Sequence, residues 1–200
     1  MSASASVDGS EPSLSLQPLF GGAMQVALPG GLDDVSQIRQ VPDNQEVFVD
    51  ADTDRCVIIE LLAYDATLPD SDAAVLYYFT DLAEANGAAC QHDAPTVIDA
   101  AATPNIAATA AVRLFVRGTH LGVAKFKERA GNDVVVHMAL LRCPTIATDL
   151  LVTQTFPVRV DAASSSAQTM QRTLDEQTAA EQFGVVLGSL QINDFGLFDA

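Results

Sequence analysis

Two apolar runs, residues 47–49 and 56–62, flank an acidic polar stretch at 50–54, the pattern of two strands joined by a short loop. The second run, C-V-I-I-E-L-L, is apolar at almost every position, which predicts a strand covered on both faces, with Glu60 as its one charge. Upstream, residues 1–17 are rich in Ser and Ala with little to bury; they predict a mobile tail, and a single folded domain is expected over 18–200. From Pro18 the chain turns apolar, with a Gly21–Gly22 turn, a short strand over 24–28 and a Pro–Gly–Gly stop. Asp33 or Asp34 stands where it can cap a short helical turn through Val35, Ser36 and Ile38, which must end before Pro42.

Further along, Asp72 is the expected cap of a helix running to Asn86 and closed by Asn86–Gly87. Residues 88–110 have weak periodicity, and only 96–100 match a short strand. The alternation in V-R-L-F-V-R predicts a strand from Val112, with a turn at 118–120 and a returning hairpin strand over 121–126. Lys125, Lys127 and Arg129 cluster near a second expected turn at Gly131–Asn132. Residues 134–142 and 149–156 are further strands on either side of a Cys143–Pro144 break, and short connections favour antiparallel pairing. Residues 161–166 predict a loop and 167–190 a final helix, with Met170, Leu174, Phe183, Leu187 and Leu190 on one face. Gly184 and Gly188 weaken that helix, so close packing on a strand is the expected reason for them. Phe195, Leu197 and Phe198 are expected to fold back onto the body.

Charge changes the picture more than composition does. At 48% hydrophobic content the 200-residue chain can bury a real core. Its net charge of −16 is uneven: residues 1–100 hold 17 acids and 2 bases, residues 101–200 hold 9 acids and 8 bases. Between Asp33 and Glu60 alone there are eight acids and two bases. Such a surface argues against nucleic acid and anionic membrane as partners and for basic protein surfaces, which it would steer and orient. Three scattered cysteines form no disulfide framework and no zinc spacing, consistent with a reducing compartment. No basic-then-apolar leader and no membrane-length apolar run is found, and a monomer is expected.

Candidate chemistry is sparse. His92, His120 and His137 have no second histidine at metal-ligand spacing, so neither metal nor cofactor is expected. Asp50, Asp52 and Asp54 lack the Gly and distal Glu of a calcium loop and predict a solvated turn. No G-x-S-x-G occurs, although a hydrolase with a site at the rim of the sheet stays open as an alternative, since triads assemble only in three dimensions. Glu60 stands apart: a carboxylate on an apolar strand must reach solvent, pair with Arg113, Arg117 or Arg142, or be kept for a partner.

Several motifs in order carry a resemblance: L-F-G-G-A-M (19–24), D-D-V-S-Q-I-R-Q-V-P-D-N-Q-E-V-F (33–48), V-I-I-E-L-L (57–62), A-L-L-R (139–142), T-D-L-L-V (148–152) and L-F (197–198). In these the chain resembles the Mog-type Ran-binding proteins, or Ran guanine nucleotide release factors. The resemblance implies an α/β/α sandwich around a mostly antiparallel sheet, as in PsbP proteins, and a non-enzymatic regulator that binds Ran and promotes nucleotide release for nuclear import. A Ran-binding escort or scaffold without release activity is the alternative. It also implies nucleus and cytoplasm as location, and a Ran-facing set of Glu60, Asp43, Glu46 and Asp34. Ala63 stands where relatives often carry a second acid.

Overall fold

The computed structural model describes residues 13–124 and 129–198. Its strands are β1 (Leu14–Leu19), β2 (Met24–Pro29), β3 (Asp33–Asp34), β4 (Gln45–Asp50), β5 (Arg55–Ala63), β6 (Ala89–His92), β7 (Thr96–Val97), β8 (Val112–Ala124), β9 (Gly131–Cys143), β10 (Thr148–Arg159) and β11 (Gln191–Ile192). Three α-helices accompany them: α1 (Asp72–Ala85), α2 (Ser165–Thr169) and α3 (Glu176–Ser189). Eight strands make one antiparallel sheet in the order β3-β4-β5-β10-β9-β8-β6, with β7 also on β8. A small second sheet, β1-β2-β11, lies with α3 on one face, while α1 covers part of the other. The α/β/α layering around an antiparallel sheet is thus as expected, with the small sheet added to one layer.

Strand alternation divides the core. Along β5, Val57, Ile59 and Leu61 join Met24, Val26, Phe183 and Val186 on the α3 face. Leu62 belongs to the α1 face with Phe79, Val116, Met138 and Leu151. β10 runs down the middle, its Leu150 and Val152 on one side and Leu151 on the other, which is why its stretch Leu150–Val152 is apolar at consecutive positions. A buried ion pair fastens the β5–α1 connection to this centre. Arg142 Nε donates to Asp149 Oδ1 at 3.1 Å, and Arg142 reaches back to the Leu68 and Asp65 carbonyls and to Asp70.

Several local expectations are corrected. Residues 14–17 belong to β1, zipped to β2 in the register Leu14↔Pro29; Leu14 and Leu16 stay exposed, so pairing rather than burial holds them. Residues 1–12 lie outside the described residues. The N-cap of α1 is Ser71, and Asp72 is the first helical residue. The turn at 118–120 does not exist: β8 runs straight through, and the strand beside this stretch is β6. Gly118 answers to close approach, since a Cβ there would lie 2.3 Å from the Gln91 carbonyl oxygen and 2.4 Å from Phe79 Cζ. The irregularity comes later, at Gly122 with φ +77°, where the β8–β9 register shifts. β9 already starts at Gly131, so Gly131–Asn132 is strand where a turn was expected, and Lys125 and Lys127 lie outside the described residues.

The final helix is two helices. The backbone leaves the helical region at Met170, the amides of Gln171 and Arg172 both bond the Asp52 carbonyl, and Asp175 then caps α3 through the Gln177 and Thr178 amides. Gly184 and Gly188 are not packing glycines: a Cβ would meet nothing within 4 Å at the first and only a 3.6 Å contact at the second. Leu197 and Phe198 fold back onto the core, whereas Phe195 remains half exposed. The weakly periodic 88–110 segment is ordered by Arg113, whose guanidinium donates to the carbonyls of Ile98, Ala107 and Ala110.

Candidate partner-binding surface

Glu60 faces the α1 side of β5, directly opposite Gln45 of β4. Its neighbours on the other strand position it: Gln45 Nε2 donates to Glu60 Oε1 at 2.7 Å, and Asn44 Nδ2 approaches the same oxygen at 3.5 Å. Asn44 also grips the strand itself, accepting from the Leu61 amide at 2.9 Å and donating to the Leu61 carbonyl at 3.0 Å. Among the described residues no hydrogen bond reaches Glu60 Oε2 and no base pairs with the carboxylate. The arginines that sequence offered as partners are engaged elsewhere: Arg113 with loop carbonyls, Arg117 with Glu176 and Asp93, Arg142 with Asp149 and Asp70. Glu60 is therefore half-buried, fixed by one oxygen and open at the other.

The remaining predicted residues separate. Asp43 is exposed in the Pro42–Gln45 turn that leads into β4, next to Asn44 and so beside Glu60. Glu46 is one residue beyond Gln45 and points to the opposite face, where its Oε1 accepts from the Phe20 amide at 2.5 Å. Asp34 caps the short helical turn after β3, taking the Ser36 amide at 2.8 Å and the Ser36 hydroxyl at 2.7 Å. Glu60 and Asp43 thus lie side by side with carboxylate oxygens to spare, while both oxygens of Asp34 are taken by Ser36 and Glu46 is set apart by pointing to the opposite face, with one oxygen on the Phe20 amide.

On the face that carries Glu60, α1 leaves part of the sheet uncovered. The result is an open groove of about 530 Å³ whose walls include Val49, Cys56, Ile58, Val134, Thr155 and Pro157. Ile58 precedes Glu60 by two residues on the same face, so the acidic edge and the apolar groove adjoin. Interfaces combine an apolar centre with a polar rim in this way.

The acidic turn at 50–54 is not solvated as expected. Asp50 is 4% exposed and accepts from the Asp52 amide, the Thr53 hydroxyl and Arg172, while Asp54 accepts from Ser166 at 2.7 Å. The turn is docked on the segment that joins α2 to α3, a partner more than a hundred residues away. His120, expected in a hairpin turn, is instead buried in β8 against Phe79, and His137 lies in the apolar strand β9 as expected, ringed by Phe115, Phe156 and Phe183. Burial pushes His137 down to about 4. Among the described residues no three His, Cys, Asp or Glu side chains gather as a metal site would need. Asn44 and Gln45 are the functional neighbours that sequence reasoning passed over. Their signal was present in the P-D-N-Q-E run, where amides sit opposite an isolated strand carboxylate.

A family model described as Ran-interacting Mog1 protein matches residues 17–157. The chain is 37% identical over 183 residues to a Ran guanine nucleotide release factor of Danio rerio, covering 91% of this chain and 98% of that one. It is 39% identical over 137 residues to a Ran guanine nucleotide release factor of Homo sapiens, covering 68% and 72%. The Saccharomyces cerevisiae nuclear import protein MOG1 is 28% identical over 168 residues, covering 74% and 69%. A crystal structure of the Ran-binding protein Mog1p from the same yeast shares the fold, with a TM-score of 0.69 at 21% identity over 94% of this chain and 100% of that chain.

Proposed function

The chain belongs to the Ran-interacting Mog1 protein family, and from that premise we propose that it binds the small GTPase Ran and promotes release of Ran's guanine nucleotide in support of nuclear protein import. It acts as a regulator of a GTPase, without a reaction of its own, and works in nucleus and cytoplasm. The observation that carries the reading is Glu60: a strand carboxylate held through Oε1 by Gln45 and left open at Oε2. The open oxygen offers a basic group of a partner an acceptor for a charge-assisted hydrogen bond.

Glu60 and Asp43 form the direct contact for basic residues of Ran, with the groove beside them as the apolar part of the interface. Asp34 and Glu46 complete the acidic set at one remove, since their carboxylates already hold the turn after β3 and the Phe20 turn. A carboxylate placed against Ran's basic residues competes with nucleotide phosphate or its Mg²⁺ for them and lowers nucleotide affinity. Ran loaded with a fluorescent guanine nucleotide tests this directly. The expected result is faster release when the chain is added with excess unlabelled nucleotide. Binding without faster release would make the protein an escort, and no binding would overturn the reading.

A further inference from the structure

At the other end of β5 from Glu60, and on the other face of the sheet, lies a polar cavity of about 370 Å³. Its lining includes two arginines, Arg55 and Arg172, and one carboxylate, Asp50, along with Gly30, Gly31 and Gln182. Arg55 is only 2% exposed. Its Nη1 donates to Gln182 Oε1, while its buried Nε has no hydrogen-bond partner. Asp50 lies opposite Arg55 in the β4–β5 ladder, yet its closest ionic contact is with Arg172, at 3.3 Å. Asp50 also accepts from the Asp52 amide and the Thr53 hydroxyl, so its capacity is largely spent.

The charge balance is therefore incomplete. Two guanidinium groups share one carboxylate, and the more deeply buried of the two carries an unsatisfied donor. Burial of an arginine is stable only when its charge and its N–H groups are matched, and here one negative charge and at least one acceptor are missing. Arg172 is not an incidental surface residue either. Its amide and that of Gln171 are bonded to the Asp52 carbonyl, which fixes the backbone at the mouth of the cavity while the side chain, paired with Asp50, stays 59% exposed.

We propose that this cavity is an anion site that takes a phosphate group, with Arg55 as its buried floor and Arg172 as its exposed rim. A tetrahedral phosphate offers acceptor oxygens in several directions, so it can receive one guanidinium fork from below and a second from the side. The cavity has room for an ester substituent as well as the free anion. A chain of net charge −16 repels anions at a distance, so binding here depends on contact with the two arginines. The site is separate from the Glu60 edge, and its occupancy does not depend on the Ran reading.

The test is a titration of the full chain with inorganic phosphate, and in parallel with O-phosphoserine, at constant ionic strength balanced with chloride. Calorimetry and thermal melting are the readouts. A saturable heat and a rise in Tm are expected for the wild type. Arg172→Ala, at an exposed side chain, is expected to keep the fold and bind at least about tenfold more weakly, the scale of one lost charge-assisted hydrogen bond. Arg55→Lys keeps a charge but loses the fork and is expected to weaken binding in the same way. Tighter binding of O-phosphoserine assigns the site to a phosphorylated side chain; equal binding assigns it to the free anion or a small ester. No phosphate-specific heat in the wild type, or equal binding in the wild type and Arg172→Ala, overturns the proposal.

Discussion

Arg142 and Asp149 face each other across the β9–β10 ladder with their charged atoms 3.1 Å apart and both side chains fully buried. The pair is unequal. Arg142 has further partners in Asp70, in two carbonyls and in the Tyr64 ring 4.5 Å away, whereas among the described residues Asp149 has only the Tyr78 hydroxyl besides. Burial, aided by Asp149, pushes that hydroxyl up to about 12, so it stays a donor. Removing the arginine should therefore cost more than removing the acid. Arg142→Met is expected to destabilise by about 3–5 kcal/mol in urea unfolding, the scale of an orphaned buried charge, and Asp149→Asn by clearly less.

His137 makes stability depend on pH. It is buried among three phenylalanines with Gln154 Nε2 3.3 Å from its Nδ1, and its folded value of about 4 lies below the ordinary 6.5. A group depressed in this way takes its proton in the unfolded chain first. The neutral ring costs nothing above pH 6.5, and stability is lost as pH falls from there towards 4. By pH 5 the loss from this residue is about 2 kcal/mol. His137→Phe should flatten the curve between pH 7 and 5, measured by denaturant unfolding at each pH; an unchanged slope would show that the histidine is not the cause.

Gly118 is expected to tolerate no side chain. An alanine Cβ would collide with the Gln91 carbonyl of β6 and with Phe79 of α1 at once, so the edge strand or the helix must move. Gly118→Ala should cost about 1–3 kcal/mol, the range for overpacking a close contact, and should show as a lower Tm.

Gly118 also marks the limit of what the sequence could tell. Its backbone is ordinary strand, and the reason for glycine is a strand and a helix that arrive from elsewhere, so local pattern alone suggested a turn. The break between α2 and α3 is of the same kind. Neither Gly nor Pro stands between Met170 and Asp175, and what ends α2 is followed by two amides captured by the Asp52 carbonyl. Asp50 looked solvated because Arg172, its partner, lies 122 residues away. By contrast the strands β4, β5 and β10 were legible from their apolar runs, although of these β10 alone is buried on both faces along most of its length: β5 is buried on its α3 side at Val57 and Ile59 and half-buried on the other at Cys56 and Ile58, where the expected second cover is missing and the groove lies. The special status of Glu60 was legible too: its neighbours Ile59 and Leu61 pack against the α3 side, and alternation sends the carboxylate to the opposite face.

The acidic edge can be tested without disturbing that hairpin. Gln45 Nε2 donates to Glu60 Oε1, and a glutamine at position 60 keeps an acceptor oxygen there while removing the charge. Glu60→Gln is thus expected to preserve stability and weaken Ran binding, whereas Gln45→Leu leaves the charge but frees its position and should weaken binding less. Combining charge reversals, Glu60→Lys with Asp43→Lys, places two cations where basic residues of Ran are proposed to dock. Affinity should fall by about tenfold or more, mainly through slower association, and the salt dependence of what remains should shrink. Surface plasmon resonance against immobilised Ran at two ionic strengths measures both. Wild-type affinity in the double reversal would remove Glu60 and Asp43 from the interface, and would shift attention to the neighbouring groove.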